Sequence, residues 1–537
     1  MSTTTQLANE PVLQYEPGSS ERSALLDALN AAAREIVEIC PIVGGKRIPT
    51  HQLTDVTAPH NHQNRLARVH QATVTVIDAA IENAVAAQRE WAETSFEERA
   101  AVFLKAADLL AGPWRQKLNA ATMVGQSKTA HQAEIDSACE LIDFLRFNVA
   151  FAEQIQEIQP ISSSGIRNRM DYRPLEGFVY AVTPFNFTAI GANLACAPAL
   201  MGNTVLWKPA GTAVLSNHAF MQVLEAAGLP PGIINFVPGE AAAVSEAVLA
   251  SPSFAGLHFT GSTAVFDRLW CGVAERLANY RSYPRLVGET GGKDFVLAHA
   301  SADPDTLAVA LLRGAFEYQG QKCSAASRAY IPASLWAAVK SRLLDDIATI
   351  RIGDVADLTN FMGAVIDQKA FDRISRYVDG ARNCPRSTIL AGGRTDDSQG
   401  YIVSPTVIEV TDPEVATMRE EIFGPVLSVY VYRDEAWPDV LKLVDGTSPY
   451  ALTGAVFARD RAAIAEASAA LRFAAGNFYV NDKPTGAVVG QQPFGGARRS
   501  GTNDKAGSAL NLLRWTSPRT IKETFAPPRV YGYPHMQ

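Results

Sequence analysis

The spacing of apolar positions changes period along the chain. From Thr75, TVIDAAIENAVAAQREW repeats its apolar residues at helical spacing. A second helix is predicted to begin at Ser95, where Glu98 completes a capping box, and to end at Gly112-Pro113. Val102, Phe103, Ala106 and Leu110 fall on one face of it, which predicts packing against a core. From Gly177 short apolar runs alternate with helical stretches: FVYAV, a helix from Ala189 to Leu200, TVLWKP, a helix to Ala227, IINFV, another helix, then LHFTGS. Continuously apolar strands joined by helix-length crossovers predict a parallel α/β sheet. Ligands in such sheets bind at the carboxyl ends of strands, where TPFNF, WKPAG and FTGS fall. After Lys293 a second α/β region begins with DFVLA, continues through AVALLRGAFEY, and reaches the loop GQKCSAAS and the strand SRAYIP. ISSSGIRNRMDYR (161–173) reads as a polar hairpin, and the tail LLRWTSPRTIKETF as a β-like segment with exposed apolar residues. Such pieces often pair across subunits.

A chain of 537 residues predicts two or three domains with an ample core. Its 47% hydrophobic and 19% charged residues exclude a mostly disordered chain. The net charge of -7 gives no general attraction to nucleic acid, and no nucleic-acid partner is expected. The 6 cysteines are scattered without C-x-x-C or zinc-type spacing, which predicts free thiols. His60 and His62 have no neighbouring cysteine or carboxylate cluster along the sequence, so no metal is expected. The first basic residue is Arg22, unlike an Arg-rich transit peptide, and no apolar run follows a basic start as in a secretory signal. The apolar window from Ile190 to Trp207 is broken by Asn193, Pro198, Gly202 and Asn203, so no membrane span is expected. These features together predict a cytoplasmic protein.

Candidate chemistry lies at the loops. Cys323 follows a Gly-Gln-Lys turn and precedes small residues that let a substrate approach its sulfur; it is either a nucleophile or one more buried small residue. Glu289 in GETGGK is a candidate general base, or a surface acid in a glycine turn. Asn186 in TPFNF is a candidate oxyanion donor, or the cap of the following helix. No GxGxxG fingerprint is present, yet FTGST opens a helix after a strand, where free amides suit a pyrophosphate. Lys208 ends the neighbouring strand, within reach of ribose hydroxyls or simply solvated.

Taken in order, TPFNF, WKPA, FTGS, GETGGK, GQKCSAAS, EEIFGPV and PFGG span almost the whole chain and resemble the aldehyde dehydrogenase superfamily. The resemblance implies that fold: a Rossmann-like cofactor domain (1–156 and 176–290), an α/β catalytic domain (291–499) and a β oligomerisation flap (157–175 and 500–537). It implies Cys323 as nucleophile, Asn186 with the Cys323 backbone N–H as oxyanion donors, and Glu289 as the base that activates water. It also implies NAD as cofactor, with Lys208 and Glu421 on ribose hydroxyls, Gly261, Ser262 and Thr263 at the pyrophosphate, Thr183 near the cofactor, and Phe423 beside the nicotinamide.

MVGQSKTAHQAEIDSACELIDFLRFN, TPFNFTAIGANLACAPALMGNTVLWKP, NFYVNDKPTGAVVGQQPFGGARRSGTNDK and RWTSPRTIKET are similar to a narrower branch, the pyrroline-5-carboxylate dehydrogenases. Phe266, where most of the superfamily has a glycine, is shared with that branch. The branch implies L-glutamate γ-semialdehyde as substrate and L-glutamate as product, the second step of proline catabolism. Its α-carboxylate is then held by Ser324 and the amides of Gly486-Ala487, with Phe187 and Phe494 along the aliphatic chain and Glu140 and Lys322 near the head group. Ala487 lacks the hydroxyl of some relatives, and Gly211 stands where many NAD-preferring members carry an acid, which leaves room for NADP. The resemblance further implies a homodimer or higher homo-oligomer and allows transient contact with a proline dehydrogenase. The nearest rival is a dehydrogenase of another semialdehyde, such as succinate semialdehyde. A cofactor-free cysteine hydrolase lacks an assigned histidine base near Cys323, and a catalytically dead protein of this fold would have no need of Cys323, Glu289 and Asn186 together.

Overall fold

The computed structural model describes residues 7–537. Two seven-stranded sheets form its two main bodies. In the first, Phe178–Val182 lies centrally; Thr204–Lys208 and Ile234–Phe236 extend the sheet to one side, and Phe254–Thr260 and Arg285–Glu289 to the other, all parallel. The chain therefore reverses its direction of growth beside Phe178–Val182, the topological switch at which doubly wound sheets open a crevice. These strands read as unbroken apolar runs because helices cover both faces: Thr188–Leu200 and Val214–Ala227 on one, Val74–Glu93 and Ala241–Ala250 on the other.

The second sheet runs Ser387–Ala391, Thr406–Val410, Val426–Tyr432, Ala326–Pro332, Asp294–Ala298, Thr453–Phe457, Asn477–Val480, parallel except at its first edge. Only the Thr290–Lys293 link separates the two sheets along the chain. Gly292 is required there, since a Cβ would come within 2.2 Å of the Cys323 carbonyl oxygen.

Several expectations about local structure hold. Ser95 and Glu98 form the capping box of Phe96–Ala111, whose Phe103, Ala106 and Leu110 are buried. The 190–207 window is the buried end of one helix followed by a strand. No helix among the described residues is long and apolar enough to cross a membrane.

The 161–173 segment and the tail differ from their expected forms. Ile166–Pro174 makes no extended local hairpin; it pairs over nine residues with Thr516–Thr524, antiparallel, as a two-stranded arm. The tail is β-like only from Thr516: Ala509–Leu513 is helical, and Leu512 and Trp515 are buried in the first body's core. The apolar LLRW run is thus core, and the largely polar strand after it is the exposed part. A cavity of about 730 Å³ lies at the base of the arm, lined among others by Arg99, Tyr172, Arg173, Arg285 and Ser517.

Candidate active site

Cys323 sits on a loop whose shape is set by an unusual turn. Tyr318, Gln319 and Gly320 all have left-handed backbone, φ 52°, 55° and 64°. Only Gly320 adopts it without a side-chain penalty, and a Cβ there would lie 2.3 Å from the Gly424 carbonyl oxygen. Gln319 is held by its surroundings, as is Gln321 after the turn. Gln319 donates through Nε2 to the carbonyls of Ser127 (2.9 Å) and Ala364 (2.7 Å), and Gln321 Oε1 accepts from the Ile366 N–H (2.9 Å). Strain over-determined in this way marks a positioned loop.

Asn186 reaches this loop from the other body. Its Nδ2 donates to the Gln321 carbonyl at 3.0 Å, buried, two residues before the sulfur. It does not cap the next helix. The N-terminal position of Thr188–Leu200 is Phe187, and the capping acceptor is Asp136, whose carboxylate takes the Thr188 (3.0 Å) and Ala189 (2.8 Å) N–H groups. A primary amide has two N–H bonds, so Asn186 retains one for an oxyanion.

Asp136 is also paired with Lys128 at 2.7 Å, both side chains wholly buried. The Lys128 ammonium lies 3.9 Å from the Phe187 ring centre and 4.5 Å from that of Tyr318. One cation therefore touches the aromatic residue after Asn186 and an aromatic residue of the turn leading to Cys323, linking the two loops. Lys128 and Asp136 lie within the MVGQSKTAHQAEIDSACELIDFLRFN stretch, but nothing in their spacing marks them as a clamp.

Glu289 ends the last strand of the first sheet, its Oε2 accepting from the Gly496 N–H at 3.3 Å. Burial raises its pKa well above the usual carboxylate range, while the Gly496 bond and Lys505 act in the opposite sense. Lys505 is fixed by the carbonyls of Gly476 (2.8 Å) and Gly495 (3.0 Å). Burial also pushes the Cys323 thiol up, with further contributions from Asp294, Glu289 and Glu421. Asp294 itself is held up at about 8 by burial.

Ser324 Oγ and Thr485 Oγ1 are hydrogen-bonded at 2.8 Å, which brings the residue after Cys323 to the Gly486-Ala487 turn. Gly486 has φ +91°, a conformation that suits glycine. Sequence reasoning missed Thr485, whose position before that turn was its only signal. Lys322 forms a buried ion pair with Glu317 at 3.2 Å. Glu140 ends the π-helical turn Glu134–Glu140; burial first, then Asp136, lifts its pKa to about 8. Phe494 exchanges backbone hydrogen bonds with Ala506, in the same strap that carries Gly496 and Lys505.

Of the residues expected to hold a dinucleotide, Lys208 lines a cleft of about 480 Å³ at the strand ends, together with Pro209, Ala210, Gly211, Pro238 and Gly239. Ser262 begins Thr263–Glu275 without a side-chain cap. Gly261 is close-packed, a Cβ there falling 2.8 Å from the Phe259 ring. Thr263 Oγ1 donates to the Arg499 carbonyl (3.2 Å) and accepts from the Gly291 N–H (3.3 Å), joining the two bodies. Thr183 Oγ1 accepts from Trp207 at 3.1 Å. Glu421 Oε1 accepts from the Gly292 N–H at 2.8 Å, and a Cβ on Gly291 would lie 2.5 Å from its Oε2, so this approach requires the glycine pair. Phe423, at φ 55°, packs edge-on against Phe185 at 5.7 Å. A glycine-lined cleft, an uncapped helix start and the buried Lys208 fit a pyrophosphate and its riboses. Phe266 stacks on Phe259, and Gly288 makes room for its ring, which explains how the first body accommodates a phenylalanine at this position.

Comparison with known proteins accords with this geometry. The aldehyde dehydrogenase family profile matches residues 48–521. A Bos taurus protein named delta-1-pyrroline-5-carboxylate dehydrogenase, mitochondrial, is 52% identical over 99% of this chain and 95% of its own length. The Homo sapiens protein of that name is 51% identical with the same coverage. A Mycobacterium tuberculosis crystal structure described as delta-pyrroline-5-carboxylate dehydrogenase bound with NAD superposes with TM-score 0.96 at 57% identity, covering 100% of both chains. The expectation of a cytoplasmic location is corrected here: the bovine and human relatives are named mitochondrial, so neither the first basic residue at Arg22 nor the composition supports that placement. The chain belongs to the aldehyde dehydrogenase family.

Proposed function

We propose that this protein oxidises L-glutamate γ-semialdehyde, the open form of pyrroline-5-carboxylate, to L-glutamate with NAD, the second step of proline catabolism. Cys323 Sγ attacks the aldehyde carbon, and the oxyanion that forms is held by the free Asn186 N–H and the Cys323 backbone amide. NAD, when bound between Lys208, the Ser262 helix start and Glu421, supplies the hydride acceptor. The thioester left on Cys323 is hydrolysed by water that Glu289 deprotonates, and the thiolate departs. Burial of Glu289 makes it a stronger base than a solvated carboxylate.

The observation that carries the substrate assignment is the Ser324–Thr485 contact, because it sets a hydroxyl and a turn of backbone amides one residue from the nucleophile. Lys322 and Lys483 add positive potential on that side, both acting on Glu317. A small anionic head group fits converging amides without requiring a dedicated buried cation. Phe187 and Phe494 flank the aliphatic part, and Glu140 and Lys322 border the head group. The open space at Gly211, where a Cβ meets nothing within 4 Å, leaves NADP usable as a second cofactor.

The three-part division into cofactor domain, catalytic domain and flap belongs to the same proposal. A two-stranded arm is marginal alone, and its exposed strands gain partners in a homodimer or higher homo-oligomer. Hand-over of substrate from a proline dehydrogenase would be a transient contact. The mechanism is tested with Glu289→Gln: mixing it with NAD and pyrroline-5-carboxylate should give one burst of NADH and an acyl mass adduct on Cys323. Steady turnover at the native rate, with no adduct, would remove Glu289 from its role.

A further inference from the structure

We propose a transition-metal site of Cys–His–carboxylate type, suited to zinc, formed by Glu38, Cys40 and His70 on the three-stranded sheet outside the two main bodies. The strands of that sheet lie side by side in the order Val37–Ile39, Asn61–His70, Leu53–Ala58. Val37–Ile39 runs parallel to Asn61–His70 with Ile39 opposite Val69, so the next register position sets Cys40 beside His70. Side chains two residues apart share a face of a strand, which puts Glu38 and Cys40 on the same side as His70 while Ile39 and Val69 face the core. One ligand atom from each of the three lies within 4.8 Å of the others. That is close enough for one ion at zinc–sulfur, zinc–nitrogen and zinc–oxygen distances of about 2.0–2.3 Å after small moves of the exposed Glu38.

The imidazole is built for this role. His70 is buried, and its Nδ1 lies 2.6 Å from the Thr50 carbonyl oxygen, while Nε2 faces Glu38 Oε1 at 2.7 Å. With the proton on Nδ1 donated to Thr50, Nε2 presents its lone pair to the cluster, the outer-shell arrangement usual for metal-ligating histidines. The competing tautomer, in which Nδ1 accepts from the Thr50 N–H at 2.8 Å and Nε2–H donates to Glu38, is a plain hydrogen bond with no ion. The nearby cations are already engaged: Arg47 pairs with Glu225, and Arg68 with Asp55. Three protein ligands leave a fourth position for water. The sequence gives no sign of the site because His70 comes from a neighbouring strand 30 residues from Cys40, a pairing that no C-x-x-C or H-x-H spacing encodes.

The test uses the full-length chain, stripped with chelator and titrated with cobalt(II) in a Cys323→Ala background, so that the active-site sulfur does not contribute. The expected result is one equivalent of cobalt with a thiolate charge-transfer band, displaced by zinc and lost in Cys40→Ser. Affinity should fall at least tenfold in Glu38→Gln and in His70→Gln. In the chain with Cys323 intact, Cys40→Ser should leave the rate of NADH formation unchanged, which also reports folding. Absence of the band overturns the proposal. So does a band that survives Cys40→Ser, and so does one that needs Cys40 but is indifferent to both Glu38→Gln and His70→Gln, which is binding to a single thiol.

Discussion

Asn186 shows how one side chain distinguishes two readings that its sequence leaves equal. Before the fold is known, an asparagine preceding a helix is as good a cap as an oxyanion donor. Here Asp136 caps the helix and Asn186 turns to the Cys323 loop. Asn186→Ala is therefore expected to lower kcat by about 10²–10³-fold, the usual cost of one oxyanion donor, with the melting temperature little changed. Lys128 should behave in the opposite way. Lys128→Met leaves Asp136 buried without its counter-ion, a loss of about 3–5 kcal/mol that thermal unfolding would register. Cys323, Glu289 and Asn186 were legible as candidates because the chemistry proposed for them requires particular side chains beside small residues. Lys128, Asp136 and Thr485 were not, since an ion pair buried in helices and a threonine in a turn acquire meaning only through what the fold brings to them.

At the scale of elements, the strand ends and loops carry the electrostatics. Asp294 begins the strand after the glycine pair, and burial holds its carboxyl at about 8. The unfolded chain releases that proton near the ordinary aspartate pKa of about 3.9, so between about 4 and 8 the native state binds more protons and stability falls as pH rises. Asp294→Asn keeps an acceptor for the Thr453 N–H and should flatten this slope by up to about 1.4 kcal/mol per pH unit, measurable by denaturant titration across that window. Glu289 follows the same direction in the reaction: a base with a raised pKa is available only as pH rises, so hydrolysis should quicken from mildly acid towards alkaline conditions. The loop after Lys208 sets cofactor choice. Gly211→Glu has room to be accommodated and should lower the rate with NADP relative to NAD, as read from kcat/KM for each. Helices and parallel strands were legible here from period alone. The partner of Ile166–Pro174 was not, because a strand pairing across more than 300 residues leaves no local pattern.

Across the whole molecule, the two bodies meet at the site. Asn186 and Glu289 come from the first sheet's strand ends and Cys323 from the second body's loop, while the strap from Gly495 to Lys505 closes over Glu289. The arm is based on the first body and pairs its strands only with each other. If the proposed homo-oligomer assembles through the arm, removing residues 516–537 should reduce the solution mass to that of one chain by light scattering, and an unchanged mass would count against a subunit contact at the arm. The order of the site motifs made the two-body plan readable, and the tail misled because its apolar LLRW run is core, not arm.

The proposed function is an aldehyde chemistry directed by an amino-acid anchor beside Cys323. The most direct measurement is NADH formation with pyrroline-5-carboxylate and with succinate semialdehyde, for the native protein and Cys323→Ala. A strong preference for pyrroline-5-carboxylate and no signal from the variant are expected. A preference for succinate semialdehyde would contradict the anchor at Ser324 and Gly486-Ala487, and full activity in Cys323→Ala would contradict the mechanism itself.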